Sequence, residues 1–465
     1  MTSPARVGAI VLAAGAATRF GGGKLLADLD GRPVLQHVLD TLARMRFCQT
    51  VVVLGDDADA VERAIAWQGE ARVRNPHPER GLSSSLQIGM RTLGAGLQAA
   101  LIVLGDQPTL RRDVILTLLE AETAARRPVV VPRYAEGGGR NPALLGRTVW
   151  SEAGALVGDH GLGPWLAAHP ELVLEVPVEG ANPDIDTPAD LAELAWAWRV
   201  EANRAQVDRL REVPDGADFY APTTSIFRAD PARADDEVLD ALLRLARRRD
   251  TWLDVGAGAG RYALPLARRV REVIAVEPSA GMRGALAEEA AAHGIANVRV
   301  IAERWPMASP PRASVALIAH VGYDIEAIGP FLEGLERAAR RLCVAVLMEH
   351  SPAAAAAPYF EAVHGEPRIA LPALSEFLAL LRARGHEPRL QPVAAPAARY
   401  ASLEEVVTYL RRQTWVAEGG AKDRALVAAA RKGAIEEDGR WRLLPVPPTI
   451  GIVSWSPQAA SHDSH

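Results

Sequence analysis

Twice along this chain a short apolar run empties into a glycine-rich loop. Val7-Gly8-Ala9-Ile10-Val11-Leu12-Ala13 precedes Ala14-Gly15 and Gly21-Gly22-Gly23, and Thr251-Trp252-Leu253-Asp254-Val255 precedes Gly256, Gly258 and Gly260. A strand apolar on both of its alternating faces belongs in a sheet covered on both sides. In the first half, strand-like runs at 7–13, 51–54, 71–74, 99–104, 128–132 and 172–178 alternate with helical patterns near 34–46, 58–67, 83–95 and 112–125, and Pro188–Trp198 reads as a closing helix. In the second, a helix near 236–248 leads into strands at 251–255, 272–277, 297–301, 314–319 and 342–348. After about residue 350 the pattern loosens into Ala/Pro-rich sequence with helices near 373–384, 402–413 and 421–434 and a strand-like 449–455. Strands alternating with helices predict a parallel sheet with helices on both faces, so both halves read as α/β.

At 465 residues the chain is too long for one hydrophobic core. Between the halves, residues 199–235 are charged and broken by Pro214, Gly216, Pro222 and Pro231. The expected domains are 1–198, a linker or helical lid over 199–235, and 236–465. The two halves share no motif, which argues for two different domains and against a duplication. A net charge of −5 speaks against a general nucleic-acid binder. Cys48 and Cys343, the two cysteines, give neither a disulfide scaffold nor a cysteine zinc site and fit a reducing, cytoplasmic setting. The apolar stretch Val7–Ala17 is too short to span a bilayer and runs on into Arg19 and Lys24, so it is read as a buried strand and no membrane partner is expected.

The first loop, Leu12-Ala13-Ala14-Gly15-Ala16-Ala17-Thr18-Arg19-Phe20-Gly21-Gly22-Gly23-Lys24, combines unobstructed backbone with two positive charges, as a triphosphate requires. A bare turn in which glycines relieve strain is the plainer reading. It leaves unexplained why Lys24 is the one lysine before position 422 in a chain that uses arginine nearly everywhere else. Asn75, Asn141 and Asn182 each precede proline and mark shaped loops. Asp106 ends the fourth strand, at the edge where open α/β sheets bind ligands. It can serve as a Mg²⁺ ligand or as a helix N-cap.

Together with Asn75-Pro76, Gly81-Leu82-Ser83-Ser84-Ser85-Leu86, Gly105-Asp106-Gln107-Pro108, Arg140-Asn141-Pro142, Gly158-Asp159-His160-Gly161 and Asp184-Ile185-Asp186-Thr187-Pro188, this loop resembles the molybdenum cofactor nucleotidyltransferases, the MobA-like family. The resemblance implies a nucleotide site at Leu12, Ala13, Ala14, Gly15, Arg19, Lys24, Ser84 and Asp106, with Arg19, Lys24 and Asp106 as catalytic groups. It also implies Mg²⁺ on Asp106 and Asp186, with Asp184 competing for the second place. Ala14, where guanylyl enzymes of the family carry glycine, favours CTP over GTP. The implied acceptor is a phosphorylated small molecule, molybdopterin first and a sugar phosphate second. His160, Leu162 and Gly163 depart from the family loop on the acceptor side.

In the second half, Asp254-Val255-Gly256-Ala257-Gly258-Ala259-Gly260 follows a strand, and Glu277 ends the next one, where an acid can accept from ribose hydroxyls. A dinucleotide-binding dehydrogenase shares that logic. The GxGxG spacing with a preceding acid resembles the class I S-adenosylmethionine-dependent methyltransferases. That resemblance implies Asp254 near the methionine end, Glu277 on the ribose and Glu303 or Arg304 beside the adenine. His320 and Tyr323, after the fourth strand, fall on the methyl-acceptor side, though each could equally be structural. The resulting expectation is a bifunctional enzyme of two Rossmann-like α/β domains. Its alternative is a nucleotidyltransferase carrying a non-catalytic S-adenosylmethionine-binding or partner-binding module. Tyr220 and Arg228 suggest that the intervening segment belongs with the second domain, and His462 and His465 read as a frayed tail.

Overall fold

The computed structural model describes residues 6–125, 127–156, 158, 161–214, 218, 224–394, 398–443 and 449–458. Asp159, His160, Tyr220, His462 and His465 lie outside them. The chain forms two compact units, 1–191 and 192–465.

The first unit is built on seven strands: β1 (Val7–Ala13), β2 (Gln49–Leu54), β3 (Ala71–Arg74), β4 (Ala99–Leu104), β5 (Val129–Tyr134), β6 (Ala143–Gly146) and β7 (Val173–Val178). Their order is β3-β2-β1-β4-β6-β5-β7. Every residue of β1 is buried. One face packs as Val7, Ala9, Val11 and Ala13 against Leu35, Leu39 and Leu118, the other as Ile10 and Leu12 against Leu86 and Met90. Alternate side chains thus feed two separate cores, which is why the run shows no polar alternation. The expectation of a wholly parallel sheet needs correction. β6 runs antiparallel to both β4 and β5. At four residues it is too short to show as a separate apolar run.

The second unit carries β8 (Thr251–Val255), β9 (Glu272–Val276), β10 (Val298–Ile301), β11 (Ala313–Ala319), β12 (Ala339–Met348), β13 (Arg389–Ala394) and β14 (Thr449–Trp455). They lie in the order β10-β9-β8-β11-β12-β14-β13, with β14 antiparallel to both its neighbours. β13 has one buried residue in six, Val393, and so left no apolar signature. The expected helices after residue 350 are present at Leu374–Ala383, Leu403–Thr414 and Ala421–Gly433. The last two close with Tyr359 and Leu443 around a satellite core of their own.

The helix expected to close the first domain continues to Leu210, through the start of the segment read as a linker or lid. From Ala192 onward it belongs to the second unit. Trp196 and Val200 enter that unit's core. Trp196 Nε1 donates to the Ile325 carbonyl at 2.9 Å, and Gln206 Nε2 to that of Pro367 at 2.9 Å. The charged face of this helix hid those apolar and amide anchors.

Gly89, in the helix Leu82–Thr92, lets that helix lie against β1: an added Cβ would meet Ile10 Cγ2 at 2.5 Å. Gly89→Val is therefore expected to lower stability by about 1–3 kcal/mol, the usual cost of overpacking. Urea unfolding followed by fluorescence would measure it, and an unchanged midpoint would contradict this packing.

Candidate functional site

Both loops after the central strands are held by backbone geometry. The first leaves β1 at Ala14, whose carbonyl an added Cβ on Gly55 would approach to 2.9 Å, so a side chain at 55 would push the loop away. Gly21, Gly22 and Gly23 all have positive φ, which glycine adopts without strain. The loop coils back on itself: the amides of Phe20, Gly21 and Gly22 all donate to the Ala17 carbonyl. These three N–H groups are therefore engaged within the loop itself. The charge is carried by side chains instead.

Lys24 opens a short turn pinned by buried Leu25. Its Nζ lies 2.5 Å from Asp106 Oδ2 and 3.6 Å from Asp186 Oδ1. Arg19 Nη2 reaches Asp186 Oδ2 at 2.9 Å, with 72% of the Arg19 side chain exposed against 11% for Lys24. The structure thus assembles Arg19, Lys24, Asp106 and Asp186 from three distant stretches of sequence. Asp106 Oδ1 is buried with no hydrogen-bond partner among the described residues. Asp184 lies close enough to feel both neighbours: its pKa is raised, first by desolvation, then by the Asp106 charge and, more weakly, by Asp186. Three carboxylates against the Lys24 ammonium and the Arg19 guanidinium leave surplus negative charge, and an orphaned acceptor is available within it. That donor set fits a hard divalent cation that takes one or two protein carboxylates and draws its remaining ligands from substrate phosphates and water. Among the described residues no group of three or more His, Cys, Asp or Glu is placed to hold a metal ion by itself.

The frame around this cluster was only partly visible in sequence. Gln107 is buried and donates to Asp184 Oδ1 at 2.7 Å, while its Oε1 accepts from Asn182 Nδ2 at 3.0 Å. Asn75 Nδ2 donates to Ser84 Oγ and Ser85 Oγ at 2.8 and 2.9 Å. Two of the three Asn-Pro signals therefore mark side chains that tie loops together. Ser84 Oγ in turn donates to the Gly81 carbonyl at 2.8 Å, so its hydroxyl is engaged within its own turn. Leu12, Ala13 and Ala14 are buried, with the Leu12 carbonyl accepting from Gly105 N at 2.9 Å, and Gly15 is exposed.

In the second unit, Gly256, Gly258 and Gly260 again have positive φ. A Cβ on Gly256 would meet Val321 at 2.6 Å and one on Gly260 would meet Leu264 at 2.8 Å, whereas Gly258 faces open space. Two glycines serve packing and the third leaves a cradle. Glu277 is 5% exposed; its two oxygens accept from Gly258 N and Ser279 N, each at 2.8 Å, which fixes the carboxylate and leaves lone pairs free. Asp254, 2% exposed, is pushed up to about 7 by burial and then by the Glu277 charge. Two buried acids beside an open glycine cradle fit a ligand that brings hydroxyl donors and positive charge, as S-adenosylmethionine does. Glu303 is exposed just beyond β10. Asp218, missed in the sequence, accepts from Ser279 Oγ at 2.8 Å.

Tyr323 is buried, and its hydroxyl accepts from the Met348 amide at 2.7 Å, which commits it to holding the end of β12. His320 follows β11 in the left-handed region, φ +57. Burial, and then the Arg261 charge, push its pKa down to about 4, so it is neutral at physiological pH.

Residues 9–173 match the MobA-like NTP transferase domain, and residues 253–343 match the methyltransferase domain. The chain is 30% identical over 150 residues to "Bifunctional protein GlmU" of Exiguobacterium sibiricum, covering 31% of this chain and 32% of that protein. It is 29% identical over 130 residues to "Probable molybdenum cofactor guanylyltransferase" of Pyrococcus horikoshii, covering 28% of this chain and 63% of that one. The matches span about a third of the length of the first of these curated relatives. Among solved structures, Rv0371c from Mycobacterium tuberculosis H37Rv is similar at 31% identity and a TM-score of 0.37, covering 39% of this chain and 92% of that one.

The raised Asp254 pKa has a consequence for stability. A folded-state value of about 7 against the ordinary 3.8 means that the folded form holds a proton the unfolded chain gives up. That contribution is full below the ordinary value and is lost as pH rises through about 7. Without ligand, the melting temperature of Asp254→Asn relative to the wild type should therefore rise as pH goes from about 4 to about 7 and level off above that. A constant melting difference across that window would contradict it.

By these matches the chain joins an N-terminal MobA-like NTP transferase domain to a C-terminal methyltransferase domain.

Proposed function

We propose that the first domain transfers a nucleotidyl group, CMP from CTP, to a phosphorylated acceptor of the molybdopterin type, and that the second transfers a methyl group from S-adenosylmethionine. The observation that carries the first reading is Lys24 Nζ held between Asp106 and Asp186 at the carboxyl edge of the sheet. The acceptor's phosphate oxygen attacks the α-phosphorus, the bond to the β-phosphate breaks, and pyrophosphate leaves with the electron pair. Such a transfer asks the protein for alignment and charge neutralisation. Asp106 and Asp186 would hold Mg²⁺, which when bound supplies positive charge against the polyphosphate oxygens. Lys24 would present its ammonium to the phosphates, and Arg19, exposed on the outer side of the loop, would neutralise charge on the leaving pyrophosphate.

In the second domain the open cradle at Gly258 would admit the cofactor against the backbone. Glu277, fixed by two amides, would accept from ribose hydroxyls, Asp254 would serve the methionine ammonium, and Glu303 or Arg304 would border the adenine. The bound cofactor supplies an electrophilic methyl on a sulfonium. His320, neutral in this form, is a weak base, so it orients or donates rather than drawing a proton from a high-pKa acceptor.

The name of the Pyrococcus relative favours a guanylyl donor as the second reading, against Ala14, which favours CTP. Pyrophosphate release from CTP and from GTP, each with molybdopterin and with a set of sugar phosphates, separates the possibilities. CTP with molybdopterin is the expected productive pair, and turnover only with GTP or only with a sugar phosphate would refute the finer assignment. Lys24→Ala and Asp106→Ala are each expected to slow that release by about 10²-fold or more while the far-ultraviolet spectrum is unchanged. Wild-type rates in either variant would remove the mechanism.

A further inference from the structure

Immediately after the second glycine loop, the buried ring of Tyr262 is bordered by basic side chains from three parts of the chain. Arg233, ahead of the helix Glu237–Leu245, brings its guanidinium carbon 5.7 Å from the ring centroid. Arg261 brings its own to 5.8 Å, and the His320 ring lies 6.4 Å away, centroid to centroid. Each carries a buried nitrogen with no hydrogen-bond partner among the described residues: Arg233 Nη2, Arg261 Nε and His320 Nδ1. One buried unsatisfied donor costs about 1–3 kcal/mol, and more when charged. Two guanidinium donors and an imidazole nitrogen around a single ring therefore lack a partner that the described residues supply.

Asp236 is the carboxylate of this cluster, and it is already engaged. Its Oδ2 accepts from Arg233 Nε at 2.8 Å and lies 3.9 Å from Arg261 Nη2, while its Oδ1 caps the helix by accepting from Leu239 N at 2.9 Å. Two guanidinium groups against one carboxylate, beside a neutral imidazole, leave one net positive charge. A carboxylate matches that surplus and the planar fork of arginine. A phosphate monoester, at about −1.5 to −2, would exceed it.

The position separates this cluster from the cofactor cradle. In the sheet, β8 lies between β9 and β11. Glu277 extends β9 on one side of the glycine loop, and His320 extends β11 on the other. Resting on the methyltransferase reading, we propose that Arg233, Arg261 and His320 form the acceptor-side site of the second domain and hold a carboxylate that orients the methyl acceptor. The acceptors are then small organic acids or molecules carrying one free carboxylate, selected over their amides.

The test uses the full chain loaded with S-adenosylhomocysteine and titrated calorimetrically with succinate as the carboxylate probe. Succinate should bind saturably. Arg233→Gln and Arg261→Gln should each weaken it about tenfold or more, while affinity for S-adenosylhomocysteine stays within about twofold. Because Arg233 also steadies Asp236, Arg233→Lys accompanies it: the charge is kept, the fork is lost, and succinate affinity should still fall. Four results overturn the proposal: no succinate binding by the loaded wild type, unchanged affinity in both Gln variants, tighter binding of inorganic phosphate than of succinate, or a comparable loss of S-adenosylhomocysteine affinity. The last would assign the arginines to the cofactor's own carboxylate. If the wild type fails to bind S-adenosylhomocysteine, the cofactor reading fails separately. Succinate titrated into the unloaded chain then decides the cluster alone, its binding and its loss in Arg261→Gln supporting the carboxylate site and no binding overturning it.

Discussion

A parallel strand buried on both faces can offer polar chemistry only at its ends, and that constraint organises both halves of this chain. β1 and β8 are buried along their whole length. Apart from Asp254, one residue from the carboxyl end of β8, their side chains mainly serve hydrophobic layers above and below the sheet. What remains for binding is the backbone and the first residues beyond the carboxyl end, where neighbouring strands in register deliver their own loops to the same edge. In the first unit this gathers Lys24, Asp106 and Asp186. In the second it gathers Gly258, Glu277 and His320. The sheets fix where function can be; the loops decide what it is.

Much of this was legible in the residues because the signals were local. Apolar runs gave the central strands, glycines with positive φ gave the loops, and the scarcity of lysine drew attention to Lys24. The missing parts lacked a local signal. β6 is too short and β13 too exposed to register as apolar runs. The helix Pro188–Leu210 looks evenly charged, so its anchoring Trp196 and Gln206 do not stand out. The inward turn of the Phe20, Gly21 and Gly22 amides depends on dihedral angles that composition does not encode. Gln107 sits in a motif that was recognised, yet its task of bracing Asp184 appears only when residues 77 positions apart meet.

The two sites also store electrostatic cost in different ways. Around Lys24 the surplus is negative and partly open to solvent, so an arriving cation relieves repulsion without a large desolvation penalty. At Asp254 the acid is sealed from water beside a second acid, and relief must come from a ligand or from a proton. A site of this second kind is tuned by pH as well as by cofactor, because both compete for the same buried charge.

The seam inside the helix Pro188–Leu210 bears on how such a two-part chain can be taken apart. The compact units divide between Leu191 and Ala192. The alternating pattern of strands and helices runs on to Trp198, and a cut placed there would strip Trp196 from the hydrophobic core it plugs. Modules exchanged between chains must therefore be joined one or two helical turns earlier than the sequence rhythm advertises, with the tryptophan travelling with its downstream neighbours.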